Sequence, residues 1–150
     1  MIKMVISPEY FGNNDKKSDI KMQLRSLGAY DISVDEESGF VTAVMTLENY
    51  ENFVLSLKKR VEDTSKNLTK KYKGVDSVKY NPDYTVFSVI VDGLSKKDKN
   101  AVVFDLFTTS ATYQVISGIP QSDTSIKVKF YNRDNFMIDC VDTSKKGEKL

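Results

Sequence analysis

The sequence predicts a layered α+β domain: an antiparallel sheet built from hairpins, with three helices packed on it, in the order β-α-ββ-α-ββ-α-ββ. Three observations predict it. Segments that alternate apolar and polar residues, such as Ile126-Lys-Val-Lys-Phe130, come in pairs separated by turn residues. Three other segments repeat apolar residues at helical spacing, and a pair of strand-like segments follows each of them. A hairpin sheet with one apolar face then needs helices to cover that face.

The first strand runs from about Ile2 to Ser7, and the first helix starts near Asn14 or Asp15. Ile20, Leu24 and Leu27 form its apolar stripe, and Gly28 supplies a stop. The first hairpin pairs Tyr30–Val34 with Phe40–Met45 across the polar loop Asp35–Gly39, whose glycine suits a positive φ. Thr46 is the N-cap of a second helix of about 26 residues, or about 39 Å. Met45 and Tyr50 stand at hydrophobic-staple spacing there. Apolar positions follow at Phe53, Val54, Leu57, Val61, Leu68 and Tyr72, and Gly74 ends the helix.

The second hairpin, Val75–Tyr80 with Thr85–Val91, turns at Asn81-Pro-Asp-Tyr84, which is type I chemistry. Ser95 with Asp98 caps a third helix, apolar on most sides from Val102 to Ile116 and so expected to be the central buried one. Gly118 and Pro120 stop it. The last hairpin pairs Ile126–Phe130 with Phe136–Cys140. Alternation sends Ile126, Val128 and Phe130 inward, Lys127 and Lys129 outward, and Phe136, Ile138 and Cys140 inward. Residues 1–143 form one domain, and residues 144–150 read as a polar tail.

Composition excludes several chemistries. The 150 residues carry 22 Lys+Arg against 21 Asp+Glu, a net charge of +1, so no nucleic-acid partner is expected. With no histidine, Ser-His-Asp and Cys-His catalysis and histidine metal sites are absent. One cysteine, Cys140, allows no internal disulfide and no multi-cysteine metal site. No apolar run spans a membrane, and no signal-peptide core is present. The Asn67-Leu-Thr69 sequon falls in a predicted helix and reads as coincidence.

Each constellation that could carry chemistry has a plainer reading. Asp35-Glu36-Glu37 lacks the spaced ligands of a calcium loop and reads as a solvated hairpin tip. Glu48 and Glu51 near the start of helix two, with Lys66, Lys70, Lys71 and Lys73 near its end, complement the helix dipole. Lys96, Lys97 and Lys99 crowd the start of helix three against that dipole and are the candidate anion-binding residues. Cys140 reads as a buried structural thiol. Asp105, set among Phe104, Leu106 and Phe107, is the one candidate acid or base for an enzyme of carboxylates and lysines. The plainer reading puts it on the wet side of its helix. Tyr113-Gln114 reads as core with a polar handle. None of these names a reaction, so no catalytic residue, metal or cofactor is assigned.

Several short strings carry a resemblance. They are Val5-Ile-Ser-Pro8 with Tyr10-Phe11-Gly12, Leu27-Gly28, Glu37-Ser-Gly39 and Met45-Thr46 before a long charged helix. Val78-Lys-Tyr-Asn-Pro-Asp83 with Thr85 and Phe87, Tyr113-Gln114 with Gly118, and Lys127-Val-Lys-Phe130 extend it to about residue 142. In these the chain resembles small secreted lipoproteins of Gram-positive bacteria that are similar to the N-terminal domain of antigen I/II adhesins. The resemblance implies an exported, membrane-anchored protein at the cell surface, held by a lipid on a cysteine upstream of this segment. It implies no activity and no site residues. A cytoplasmic relative is the alternative location. The expected function is non-enzymatic binding of a protein or envelope component, with Tyr80, Tyr84 and Tyr131 as candidate contacts. The alternative is a small-molecule or peptide binder with its pocket between helix three and the sheet.

Overall fold

The computed structural model describes residues 1–6, 8 and 17–144. Among them are seven strands and three long helices in the expected order: β1 (Ile2–Ile6), α1 (Lys17–Ser26), β2 (Asp31–Val34), β3 (Val41–Met45), α2 (Leu47–Lys71), β4 (Val75–Tyr80), β5 (Val86–Val91), α3 (Lys96–Ile116), β6 (Lys127–Tyr131) and β7 (Met137–Asp142). The fold class is α+β. The expected helix start at Asn14 or Asp15 and the tail beyond residue 144 lie outside the described residues.

The strands divide into two sheets. One has the order β1-β3-β2 and is antiparallel throughout. The other has the order β4-β5-β6-β7. Its two hairpins are antiparallel, but β5 and β6 pair in parallel, a junction that hairpin logic alone does not contain. The physical reason is α3. It separates β5 from β6 with 21 residues, and a helical crossover of that length returns the chain alongside β5 in the same direction.

Each sheet has its own core, and α2 and α3 serve both. The three-stranded sheet buries Met4, Ile6, Val41, Ala43 and Met45 against Ile20 and Leu24 of α1, Phe53 and Leu57 of α2, and Ile116 of α3. The four-stranded sheet buries Phe87, Val89, Val128 and Phe130 against Val61 and Leu68 of α2 and Val102, Val103 and Leu106 of α3. The N-terminal half of α2 thus meets the C-terminal end of α3 over the first sheet, so the two helices run antiparallel. Tyr113 packs against both cores.

Local signals place these elements. Thr46 Oγ1 accepts from the Asn49 N–H at 3.1 Å, and Ser95 Oγ accepts from the Asp98 N–H at 3.1 Å. Gly28 (φ 98°) closes α1 in a Schellman motif: the Ala29 N–H donates to the Leu24 carbonyl and the Gly28 N–H to the Arg25 carbonyl. Gly118 (φ 109°) closes α3 in the same way, with Ile119 N–H to Gln114 O and Gly118 N–H to Val115 O.

The third helix packs on both cores and is buried or half-buried at most positions from Val102 to Ile116, with Phe104 its one large apolar side chain left exposed, at 68%. One expectation is corrected. Cys140, Phe136 and Ile138 are exposed rather than inward. Buried Phe130 stands opposite Asp139 and buried Val128 opposite Val141; of these two β7 residues Val141 packs on the core and Asp139 stays exposed. The register shifts at this end of the hairpin, and a one-residue slip reverses every side chain of a strand.

The neighbouring positions Leu106 and Phe104 separate packing from propensity on one helix. Leu106→Ala should cost about 2–5 kcal/mol, because it opens a cavity in a filled core. Phe104→Ala should stay within about 0.5 kcal/mol. Urea denaturation of the two variants measures both.

Candidate functional site

The first core ends at an open cleft of about 580 Å³ beside β1. One wall is the β1 edge, with Lys3 and Val5. The other is the chain leaving α3, with Ile119 and Pro120, and Phe40 and Tyr50 contribute between them. Val5, Phe40 and Ile119 are apolar side chains left 57%, 41% and 42% exposed. A cleft of this size, whose walls mix apolar side chains with main-chain and side-chain polar groups, is a candidate binding site.

The walls are held by specific chemistry. Gly118 turns the chain so that Ile119 faces β1. The Tyr50 O–H donates to the Ile116 carbonyl at 2.8 Å, tying α2 to the last turn of α3. Buried Gln114 reaches across the loop that follows. Its Nε2 donates to the Ser125 carbonyl at 2.9 Å and to Ser110 Oγ at 3.0 Å, and its Oε1 accepts from the Ser125 N–H at 3.2 Å. Ser110 Oγ in turn donates to the Tyr84 carbonyl. Residues 118–125 are therefore pinned at both ends, by the helix stop and by the Gln114 amide. Tyr113-Gln114 is core with a polar handle, as the sequence reads.

A second groove, of about 440 Å³, runs between α2 and α3 and is lined by Arg60, Asn67, Lys71, Asp105, Thr108 and Thr112 among others. Asp105 lies here. Its Oδ2 accepts from Lys71 Nζ at 2.9 Å and from the Tyr72 O–H at 3.5 Å. With its side chain 24% exposed and paired to Lys71, it joins the two helices. The Lys71 ammonium is held above its ordinary range by this hydrogen bond and by the charge of Asp105.

The other sequence-derived candidates are dispersed. Lys96 and Lys97 are exposed on the first turn of α3, whose Asp98 N–H is already taken by Ser95. Lys99 lies over the Phe130 ring at 5.9 Å from its centroid, pointing to the sheet rather than joining them. Tyr84 is corrected from a contact to a core residue, at 5% exposure. Its left-handed backbone (φ 56°) turns the ring inward, edge-on to Tyr113 at 5.2 Å, and its O–H donates to Glu62 at 2.8 Å. Tyr80 and Tyr131 sit on opposite faces of the four-stranded sheet. Tyr80 pairs with buried Phe87, and Tyr131 pairs with Ile90 on the outer side. The Tyr80 and Tyr84 rings pack at 5.4 Å on one face, while Tyr131 lies on the other, so the three do not form one surface.

Asp35-Glu36-Glu37 is a solvated tip. Asp35 Oδ1 accepts from the Glu37 and Ser38 N–H groups at 2.8 and 3.1 Å, which lowers its pKa, and Glu36 pairs with Lys17 at 3.0 Å. Among the described residues no group of three His, Cys, Asp or Glu is placed to hold a metal ion, and no helix is long and apolar enough to cross a membrane. The expected pocket between α3 and its sheet is filled by Val102, Leu106, Phe87 and Phe130, and the open space lies at the far end of α3 instead.

Comparison with known protein families, with curated proteins and with solved structures finds no match to this chain.

The sequence contains no motif for the cleft, because Lys3 and Val5 lie more than a hundred residues from Ile119. One signal was available. On β1, Ile2, Met4 and Ile6 take the inward alternation, so apolar Val5 falls on the outward side with nothing in the pattern to cover it.

Two outcomes test this construction. Gln114→Ala should cost about 1–3 kcal/mol for each main-chain group of Ser125 left without its partner. It should also speed amide exchange across residues 119–126, read by hydrogen-exchange mass spectrometry. Burial, and then the Glu62 carboxylate, hold the Tyr84 phenol above its usual 10.0. Above about pH 10 an unfolded tyrosine loses its proton while folded Tyr84 keeps it. Stability from this group is therefore complete below about pH 10 and declines as pH rises beyond it, a slope that Tyr84→Phe should reduce in urea titrations.

Proposed function

We propose that this chain is a non-catalytic binding domain that holds a segment of a partner protein in the cleft between β1 and the chain leaving α3. The observation that carries the reading is the cleft itself, where three exposed apolar side chains and a sheet edge meet around Lys3, the charged group lining it among the described residues. Apolar anchors beside main-chain donors and acceptors suit a peptide better than a reacting substrate. In the setting that the resemblance implies, the domain is displayed on a bacterial cell surface and the partner is a protein of the envelope or its surroundings. Its attachment there is a lipid upstream of this segment.

A random-peptide phage library panned against the folded chain tests the binding reading. Selected peptides should lose about tenfold or more in affinity for Ile119→Asp, the loss of one buried apolar anchor. That variant should fold normally, since Ile119 is largely outside the core. Peptides indifferent to Ile119→Asp, or no selected peptides, overturn the reading. Fractionation of the native host, with mass spectrometry of the mature N-terminus, tests the location. A lipid-modified cysteine in the membrane fraction is the expected result, and an unmodified cytosolic chain overturns it.

A further inference from the structure

The β1 edge differs from the other sheet edges among the described residues. Edges are commonly blunted by short strands, bulges or charges. β2 has four residues. β4 is interrupted by a register shift between Val75 and Ser77, and Arg133 Nε holds Asp76 there at 2.7 Å. β7 has a shift opposite Phe130 and Tyr131, and the Asp139 carboxylate accepts its Cys140 N–H at 2.8 Å. β1 keeps an unbroken register from Ile2↔Met45 to Ile6↔Val41 and carries one charge, Lys3.

The direction of its free main-chain groups follows from the neighbouring strand. The Asp35 N–H donates to the Phe40 carbonyl at 2.9 Å, so Phe40 faces β2. Direction alternates along an antiparallel ladder, so Thr42 and Val44 also face β2. The Tyr30 N–H on the Val44 carbonyl, at 3.0 Å, agrees. Val41, Ala43 and Met45 therefore bond to Ile6, Met4 and Ile2 of β1. Lys3 and Val5 turn their N–H and C=O groups to the side on which no strand pairs among the described residues, and both line the cleft.

We propose that the partner enters this cleft as an added β-strand: an extended protein segment that pairs with the main chain of Lys3 and Val5, sets apolar side chains against Ile119 and Phe40, and carries an acidic residue near Lys3. The inference rests on reading the cleft as the binding site. Main-chain pairing supplies affinity, and alternate side chains supply selectivity. Charge decides between occupants. A second copy of β1 would bring another lysine to the same edge, whereas a carboxylate complements it.

The phage-selected peptides provide the test. They should be enriched in alternating apolar residues with Asp or Glu. Proline is tolerated on an edge strand where the N–H faces outward. Lys3→Pro and Val5→Pro should therefore fold, judged by circular dichroism and thermal melting, yet weaken the peptides about tenfold or more. Peptides N-methylated at successive amides repeat the test on the unaltered protein. Binding should fall at alternate positions and survive between them. If binding is lost in Ile119→Asp but is indifferent to both prolines and to N-methylation, the strand mode is overturned and the cleft stands. If no peptide depends on Ile119, both fall. Lys3→Glu should shift the selected sequences from acidic to basic, and an unchanged preference overturns the role given to Lys3.

Discussion

The architecture depends on one constraint: neither sheet can bury its apolar face without α2 and α3. Three short strands on one side and four on the other are too few to close on themselves. A helix of 25 residues and another of 21 are long enough to lie across both. The stripe on α2 is divided between the cores, with Phe53 and Leu57 serving the first and Val61 and Leu68 the second. Pairs along the helix seam, Lys71 with Asp105 near one end and Tyr50 with the Ile116 carbonyl near the other, set the alignment of the two helices. Aligning them aligns the sheets.

The seam between the cores is where polar groups enter the interior. Tyr84, Ser110, Gln114 and Ser125 form a chain of hydrogen bonds, and Tyr113 packs beside it. Burying an amide and a hydroxyl is costly unless every group is paired. Among the described residues no buried side-chain nitrogen or oxygen lacks a partner. What these bonds contribute is position. They connect the turn before β5 to α3, and α3 to the loop before β6, so two segments far apart in sequence keep one geometry.

Most elements were legible because their signals are local. Thr46 and Ser95 cap helices with their own hydroxyls, and Gly28, Gly39 and Gly118 adopt the positive φ that their turns require. What was not legible depends on distant partners. Nothing near β5 or β6 says that they pair in parallel; the crossover through α3 decides it. The face of β7 was misread because alternation was counted from Phe136, while the pairing is set by Phe130 against Asp139. The turn itself uses Asn132 Oδ1, which accepts from the N–H groups of Asp134 and Phe136 at 3.0 Å each. Tyr84 reads as an exposed turn residue until its left-handed backbone is known, and Asp105 reads as isolated until α2 brings Lys71 to it. The cleft is the extreme case, since its two walls belong to the first strand and to the chain after the last helix.

That pairing of distant walls ties the proposed function to the fold. The apolar wall owes its position to Gly118, whose φ of 109° releases the chain from α3 and directs Ile119 toward β1. Any other residue there would carry the strain of a left-handed backbone, and the Schellman bonds to Gln114 and Val115 would weaken with it. The loop then returns to Gln114 through Ser125, which fixes both of its ends. The opposing wall needs no such device, because β1 is held along its whole length by β3. A rigid edge facing an apolar loop anchored at both ends favours an extended segment over a compact ligand. The edge offers hydrogen bonds only at the two-residue spacing of a strand, and a compact ligand has no matching row of groups to meet them.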